Sequence, residues 1–496
     1  MGRLMVLSVL TLGVILAGCK SDQDYQTLRR DKAQKDFETI SKRTLPADKV
    51  LTLPMCVNEA LKNNLDLKVE DLQTQVNKES KTAAMLGMLP QLTMTYNLQT
   101  RSNQPGSSSQ DLKTGETSLQ TSRSARMTEN DESMELGLSV IDFGMAYFNS
   151  IQAQDNIVLG DTQRLRVAQN LIYDITRTYV EVAATQDAIA VTRDLVKQCQ
   201  DMEKVFDALR DNRSMSNLRV LDEQKRFVGL EKQLMLYQRN YEDACIRLRT
   251  LMGYLPLEDI TVDASLLKNF RYKNFPPVEK LEEAALYLRP ELSKLDIQRH
   301  INVIETRKSI LEMFPNVKLF TDWQHSSNPF LYKQSWWDIG MKTSYDLLHL
   351  PSKAMHTQSL MEQNAELEAR TRALSIAVMS EVRLAYVNMM EMKRIYDHRA
   401  LAYKVYQQQF ELARKTYAAG SALSRFELDR MALETVDRRI RCVQAMGDLY
   451  VAYYRVLNTV GVSSLEQNEI DHNINHAKQL GLQAAAKATG VQAAVR

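Results

Sequence analysis

An internal duplication constrains the fold of this 496-residue chain more than any other feature. Residues 60–67 align without a gap with residues 285–292, an offset of 225. Further along, Tyr179-Val180 matches Tyr386-Val387 at an offset of 207. Similarity at a fixed offset indicates repeated structural units, so the sequence predicts two homologous halves, residues 50–255 and 275–462.

The segments outside the halves have different compositions. Residues 256–274 are expected to link the halves. The change in offset places an extra segment in the first half, around residues 100–133, and its Ser, Thr, Gln and Asn content is typical of a loop. Residues 463–496 are polar and Ala-rich without periodicity, and we expect a flexible tail.

Each half is predicted to contain a helix, two strands, a long helix, a turn and a returning helix. Apolar residues recur at heptad spacing in both long helices, which indicates coiled-coil packing. A helix over about residues 145–210 would be roughly 100 Å long at 1.5 Å per residue. The heptad positions are Ile172, Ile175, Tyr179, Val182, Ile189 and Val196 in the first half, and Met379, Val382, Tyr386, Met389, Tyr396 and Tyr403 in the second.

Four short segments alternate between apolar and polar residues, which is the period of a β-strand. They span about residues 90–100, 133–142, 315–324 and 336–345. Their length and single apolar face suit tilted membrane strands. The three tryptophans, Trp323, Trp336 and Trp337, lie in or beside these strands, where aromatic residues at a membrane interface are expected. A soluble sheet packed on helices has the same alternation and stays open as an alternative.

One copy of the chain cannot close a membrane barrel. Closed barrels begin at about eight strands, and an open edge in lipid leaves backbone groups unsatisfied. Two, three or four copies would give about 8, 12 or 16 strands at four strands per chain, and the strand count alone does not choose between them.

The N-terminal residues predict an export and lipidation signal. Arg3 precedes an apolar stretch from Leu4 to Leu16, which has the length of a secretory signal core. The stretch ends in Leu16-Ala17-Gly18-Cys19, which resembles the lipobox of bacterial lipoproteins. Residues 1–18 are therefore predicted to be a signal peptide and residues 19–49 a lipid-anchored segment. The alternative is an ordinary signal with a chance Cys19.

Composition and motifs argue against several classes of function. The formal net charge is only +2, so a nucleic-acid partner is not expected. The cysteines beyond Cys19 are widely spaced, unlike a disulfide framework or a zinc site. The sequence contains no HExxH, P-loop or GxSxG motif. We therefore expect no enzyme activity, no metal and no cofactor apart from the covalent lipid.

The duplicated halves resemble the TolC family of outer-membrane factors, especially its lipidated branch in multidrug and metal efflux. The resemblance covers about residues 45–462. The residues that carry it are the repeated openings 58–64 and 283–286, the segments Leu89-Pro90 and Phe314-Pro315 before strands, Tyr417-Ala418-Ala419-Gly420-Ser421 before Leu428-Asp429, and residues 344–351.

The family resemblance implies a mainly α protein with a membrane β-barrel contribution. It implies a homotrimer whose twelve strands form one barrel, continuous with a long α-helical periplasmic barrel. It also implies a passive exit duct in the outer membrane for small toxic compounds or drugs. A periplasmic adaptor and an inner-membrane transporter would deliver them, and the transporter would supply the energy.

The resemblance also suggests roles for residues at the helix-to-helix turns. In the family these tips close the tunnel and receive the adaptor, and Gly420, Ser421, Ala422, Leu423 and Ser424 occupy the second tip. Asp222 and Asp429 match the acidic residues that ring the aperture in family members. Phe426 replaces the companion acidic residue, so an apolar constriction would share the gating. A solvated helix face is the alternative for each aspartate.

Two other functions stay open from the sequence. The exit duct of a type I protein secretion system is the alternative within the family. A lipid-anchored structural coiled coil is the alternative outside it, and such a protein would lack membrane strands.

Overall fold

The computed structural model describes residues 22–43, 50–118, 120, 122–211, 216–255, 260–270, 276–420 and 425–462. The signal peptide, Cys19 and the predicted tail lie outside these ranges. Within them the chain forms ten helices and four strands. The helices are α1 (Asp22–Ser41), α2 (Leu53–Asn63), α3 (Leu65–Leu86), α4 (Val140–Asp211), α5 (Asn217–Leu251), α6 (Ser265–Asn269), α7 (Val278–Leu288), α8 (Pro290–Leu311), α9 (Leu350–Ala418) and α10 (Arg425–Val460), and the strands are β1 (Gln91–Thr100), β2 (Thr128–Ser139), β3 (Asn316–Ser326) and β4 (Ser335–Ser344).

The element bounds repeat at the offset found in the sequence. Helices α2 and α3 begin and end 225 residues before α7 and α8, and β1 begins 225 residues before β3. The chain thus runs twice through two short helices, two strands and a long helical hairpin. The long helices contain 72 and 69 residues, which corresponds to about 105 Å each.

The predicted seam of α4 is largely buried, whereas the seam of α9 is buried at Val382 and Met389 and half-buried at its three tyrosines. Ile175, Tyr179 and Val182 of α4 are at most 1% exposed. The seam of α9 differs from the prediction at one position, because Met379 is 37% exposed and Val378 is buried in its place. Val378 completes an i, i+4 row with Val382, which keeps the apolar stripe on one side of the helix.

A polar residue that interrupts the first seam has a structural role. Gln186 of α4 donates its side-chain amide to the carbonyl of Val262 at 3.1 Å and accepts the Val262 amide at 2.8 Å. Val262 in turn pairs with Leu51 in a short parallel bridge. The hydroxyl of Tyr179 lies 3.0 Å from the Leu51 carbonyl. The linker is therefore fastened to the first long helix.

Two glycines follow the returning helices α5 and α10 at equivalent places in the two halves. Gly253 follows α5 with a φ of 79°, and Gly461 follows α10 with a φ of 83°. A Cβ at Gly253 would lie 3.0 Å from the Asn63 carbonyl oxygen, and one at Gly461 would lie 3.1 Å from that of Leu288. Asn63 and Leu288 are themselves equivalent at the offset of 225. Each glycine thus lets the end of one helix approach another.

The four strands form one antiparallel sheet in the order β1-β2-β3-β4. Strand β2 begins and ends earlier than the alternation predicted, at Thr128 and Ser139. The Ser139 hydroxyl accepts the Asp142 amide at 3.2 Å, an N-cap contact that starts α4 at Val140. None of the described helices contains an apolar stretch long enough to cross a membrane.

Candidate functional sites at the helical tips and on the sheet

The second tip begins at Gly420, where α9 ends. Gly420 has a φ of 76°, and its amide donates to the Tyr417 carbonyl at 3.1 Å. A Cβ there would meet no atom of the chain within 4 Å. The other four predicted docking residues, Ser421, Ala422, Leu423 and Ser424, lie outside the described residues. The docking role stays a prediction.

The predicted gate aspartates lie near the tips on the returning helices α5 and α10. Asp222 is exposed and forms an ion pair of 3.2 Å with Arg226, one turn further along α5. Asp429 is half-buried in the first turns of α10. Phe426 lies in the first turn of α10, and its side chain is outside the described part of the structure. The positive charge of Arg226 offsets part of the negative charge of Asp222.

Aromatic residues that no sequence motif indicates pack the end of α4 against the start of α5. Phe206 of α4 and Phe227 of α5 are each 2% exposed, and their rings meet edge to face at 5.4 Å between centroids. Such pairs contribute about 0.5–1.5 kcal/mol beyond their buried area. They hold α4 and α5 together one to two turns from Asp222.

Further back, the returning helices α5 and α10 are joined by a buried polar contact. The hydroxyl of Tyr237 donates to Asp437 at 3.2 Å, and Arg441 donates to the other oxygen of that carboxylate at 2.8 Å. Burial and the neighbouring Asp437 carboxylate raise the pKa of Tyr237 to about 12. The contact connects the two halves of the chain.

A buried charge network connects the halves near the ends of the hairpins that lie toward the sheet. Arg289 is 5% exposed and forms ion pairs of 3.0 Å with both Glu291 and Glu381. Arg166 pairs with Glu291 at 2.6 Å, and Arg455 pairs with Glu381 at 2.8 Å. Burial and the positive charge of Arg289 lower the pKa of Arg166. The four segments involved are far apart in the chain, so no local pattern could reveal the network.

Residues directly opposite each other in an antiparallel sheet lie on the same face, so the register defines two faces. One face, which we call the apolar face, carries Leu92, Met94, Met134, Leu136, Leu138, Leu319, Trp323, Trp337, Ile339 and Met341. Several of these side chains are strongly exposed in one chain, for example Met94 at 74% and Ile339 at 87%.

The three tryptophans do not share a face. Trp323 lies opposite Trp337 on the apolar face. Trp336 lies opposite Gln324 on the other face, and its indole N–H donates to Asp338 at 3.0 Å. A lipid-facing position therefore suits Trp323 and Trp337 but not Trp336.

The second face is polar and carries a row of carboxylates. Glu135, Asp322 and Asp338 are direct neighbours across β2, β3 and β4, and we call them the acidic row. Gln324 donates to Asp322 at 2.8 Å and to Asp338 at 3.2 Å. Lys318 forms an ion pair with Glu135. The alternation predicts these residues on strands, but it does not show that they are neighbours.

The loops at the outer end of the sheet pack on each other. Asn328 donates its side-chain amide to the Ser124 carbonyl at 3.0 Å. The Arg123 guanidinium lies over the Phe330 ring, 5.5 Å from its centroid. The extra segment of the first half, residues 101–127, therefore rests on the β3–β4 turn.

The described residues offer no metal centre: they contain no group of three His, Cys, Asp or Glu side chains placed to hold one ion. Cys56, Cys245 and Cys442 do not form disulfides. Burial raises the pKa of the Cys56 thiol to about 12, which makes the thiolate scarce near neutral pH. A role for Cys56 as a nucleophile therefore has no support.

Comparisons with known proteins agree with this architecture. The sequence profile of the outer membrane efflux protein family matches residues 56–254. A search of curated protein sequences returns no match. Among solved structures, the chain is similar to the CmeC outer membrane channel of Campylobacter jejuni, with a TM-score of 0.64, 14% identity, and coverage of 86% of this chain and 89% of that one.

Two further outer-membrane proteins have a similar fold. The open state of the Neisseria gonorrhoeae MtrE outer membrane channel gives a TM-score of 0.63 at 14% identity and covers 83% of this chain and 89% of its own. The outer membrane protein VceC of Vibrio cholerae gives 0.61 at 11% identity, with coverages of 83% and 96%. By sequence, residues 56–254 match the outer membrane efflux protein family, and both halves of the chain share the fold of these outer-membrane proteins.

Proposed function

We propose that this chain is the outer-membrane duct of a tripartite efflux system, a passive exit for small toxic compounds or drugs. Three copies would form it, with the sheet in the outer membrane and the helices in the periplasm. A periplasmic adaptor would dock at the helical tips, and an inner-membrane transporter would supply the energy. A lipid on Cys19 would anchor each copy.

The observation that carries this proposal is the four-stranded sheet. Its strands contain 10, 12, 11 and 10 residues, and about 9–11 residues cross a bilayer when tilted. The apolar face is exposed in one chain, whereas the polar face carries charges that lipid would not accept. Strands β1 and β4 are the edge strands of the sheet, and within one chain each of them pairs with a single neighbour.

Exposed apolar side chains on α9 support assembly from several copies. Ile376, Leu384, Val387, Leu401, Val405 and Leu412 are each at least 52% exposed. A row of exposed apolar residues along a helix usually packs against a partner. Adjacent copies would cover α9 and would join β4 of one sheet to β1 of the next.

The first experiment measures pore formation and drug sensitivity together. Purified protein should migrate as a heat-modifiable trimer in detergent gels and open ion channels in planar lipid bilayers. Deletion of the gene should sensitise the host to toxic compounds, and the intact gene should restore resistance. A protein that stays monomeric and forms no channels would refute the proposal. Cys19→Ser should abolish lipidation, as mass spectrometry of the N-terminal peptide would detect.

The gate prediction is tested at the two aspartates. Asp222→Ala combined with Asp429→Ala should raise single-channel conductance and weaken block by multivalent cations, because carboxylates around an aperture attract cations. Asp243→Ala is the matched control, since Asp243 also forms an exposed pair on α5, with Arg239 at 3.8 Å, but lies about 30 Å further from the tip at 1.5 Å per residue. Unchanged conductance and block in the double variant would remove the aspartates from the gate.

Two alternatives predict other outcomes. A lipid-anchored structural coiled coil would form no channels and would lack membrane strands, and the four-stranded sheet counts against it. An exit duct for protein secretion would leave drug sensitivity unchanged on deletion and would abolish export of a protein encoded nearby.

A further inference from the structure

The acidic row has properties that the proposed helical gate does not use. Glu135, Asp322 and Asp338 occupy one level of the polar face, on three adjacent strands. Neighbouring strands are about 4.8 Å apart, so three carboxylates lie within about 10 Å. Like charges at this spacing repel each other unless cations or hydrogen-bond donors compensate them.

Asp322, at the centre of the row, is incompletely compensated. It is 8% exposed, and only its Oδ2 atom accepts a hydrogen bond, from Gln324. Its Oδ1 atom is buried and accepts none from the described residues. A buried carboxylate oxygen without a donor is costly. The negative charge of Asp322 is therefore only partly compensated by the described residues.

The rest of the polar face does not cancel the charge of the row. Strand β1 presents only uncharged polar residues there. The other strands contribute five carboxylates and two amines, which leaves three negative charges per chain; these groups are Glu129, Asp131, Glu135, Asp322, Asp338, Lys318 and Lys342. Lys318 pairs with Glu135, so within the described residues the uncompensated charge of the row lies on Asp322 and Asp338. Lys342 lies toward the helices, about 14 Å along the strand from the row at 3.4 Å per residue.

We propose that Glu135, Asp322 and Asp338 form a cation-selective ring inside the barrel, separate from the aspartates at the helical tips. This inference rests on the proposed function, because the polar face lines water only if several sheets close into a barrel. Three copies would place nine carboxylates at one level. The described residues contain no compact metal site, so the ring acts through its field on small hydrated cations such as K⁺ and Mg²⁺.

The expected effect follows from electrostatics. A unit charge about 10 Å from the axis, screened at about 0.1 M salt, changes the local K⁺ concentration by about 1.3-fold. Neutralising two carboxylates in each of three copies removes six charges. The local K⁺ concentration, and with it the K⁺/Cl⁻ permeability ratio, should therefore fall at least about fivefold.

The experiment uses full-length protein in planar bilayers under a KCl gradient, with reversal potential as the readout. The background is Asp222→Ala with Asp429→Ala, so that the tip carboxylates cannot dominate. In this background the channel should remain cation-selective, and Asp322→Asn with Asp338→Asn should lower the permeability ratio at least about fivefold. Addition of MgCl2 should reduce the K⁺ current only while the acidic row is intact.

Glu132→Gln is the matched control. Glu132 is on the same strand as Glu135 but lies on the opposite face, opposite Tyr96 and His325, so its neutralisation should leave the ratio unchanged. The single variant Asp338→Asn, at an exposed position, serves if the double variant does not assemble. An unchanged ratio after loss of the row, or an equal change in Glu132→Gln, would overturn the inference. Absence of channels in the unmodified protein would instead refute the proposed function.

Discussion

Replacing Gly253 by alanine tests how the helical hairpin is fastened to the first short helix. An alanine would keep a left-handed backbone at a cost of about 1–2 kcal/mol. Its Cβ would also lie 3.0 Å from the Asn63 carbonyl oxygen and 3.2 Å from the Asn63 Cβ, contacts that force a small displacement. Overpacking of this kind costs about 1–3 kcal/mol. Together the terms destabilise the contact between α2 and the end of α5 by about 2–5 kcal/mol.

Hydrogen exchange followed by mass spectrometry measures this effect locally, because amides exchange through local opening. A loss of at least 2 kcal/mol should accelerate exchange in peptides covering α2 by about 30-fold or more, since about 1.36 kcal/mol corresponds to a factor of ten. Gly461→Ala should do the same to α7, because a Cβ there would meet Leu288 in the equivalent way.

Gly420→Ala is the control that separates backbone strain from close approach. Gly420 has the same left-handed conformation, with a φ of 76°, but a Cβ there would contact nothing within 4 Å. The variant should lose only about 1–2 kcal/mol, near the tip, and leave α2 unchanged. If Gly253→Ala left the exchange of α2 unchanged, the close approach to Asn63 could not be what fastens the hairpin.

Two further predictions concern buried groups. Arg289→Ala should destabilise the chain by about 1–3 kcal/mol, because the buried Thr459 carbonyl would lose its donor and Glu291 and Glu381 would each keep only one arginine partner. The exposed Arg370, paired with Glu366, is the control, and Arg370→Ala should cost at most about 1 kcal/mol in a denaturant titration. Stability should also fall at alkaline pH. Burial raises the folded-state pKa of Cys56 to about 12, so its stabilising contribution is complete below the unfolded pKa of about 8.5 and is lost as pH rises toward 12. Cys56→Ala should make the loss between pH 9 and 12 shallower, and an unchanged profile would contradict the assignment.

Sequence periodicity predicted the fold closely where one helix or one hairpin carries the pattern. The duplication placed α2, α3 and β1 against their counterparts, and the heptads located most of the seam residues. The predictions were wrong at the ends of elements and where two adjacent apolar residues could both belong to a seam. Ser139 caps α4 and so ends β2 three residues before the predicted end, and Val378 replaces Met379 because either residue extends the apolar stripe.

The polar sites could not be predicted in the same way, because they depend on contacts between distant segments. Glu135 and Asp322 are 187 residues apart in sequence, and only the pairing of β2 with β3 makes them neighbours. The Arg289 network joins α4, α8, α9 and α10 in the same manner. A single sequence shows that such residues are charged but not which of them meet.

Comparison of the two halves distinguishes contacts that recur in both from charged residues that occur in only one. The contacts at the ends of the returning helices recur in both halves, as Gly253 with Asn63 and Gly461 with Leu288. The polar face has diverged, because β1 has no charged residue there whereas its counterpart β3 carries Lys318 and Asp322. Packing between backbones restricts both halves equally, but a side chain that faces water is free to change in one half alone. Selectivity of the duct would therefore come from β2, β3 and β4, and a β1 substitution such as Thr93→Asp, opposite Glu135, should extend the acidic row and raise the K⁺/Cl⁻ permeability ratio.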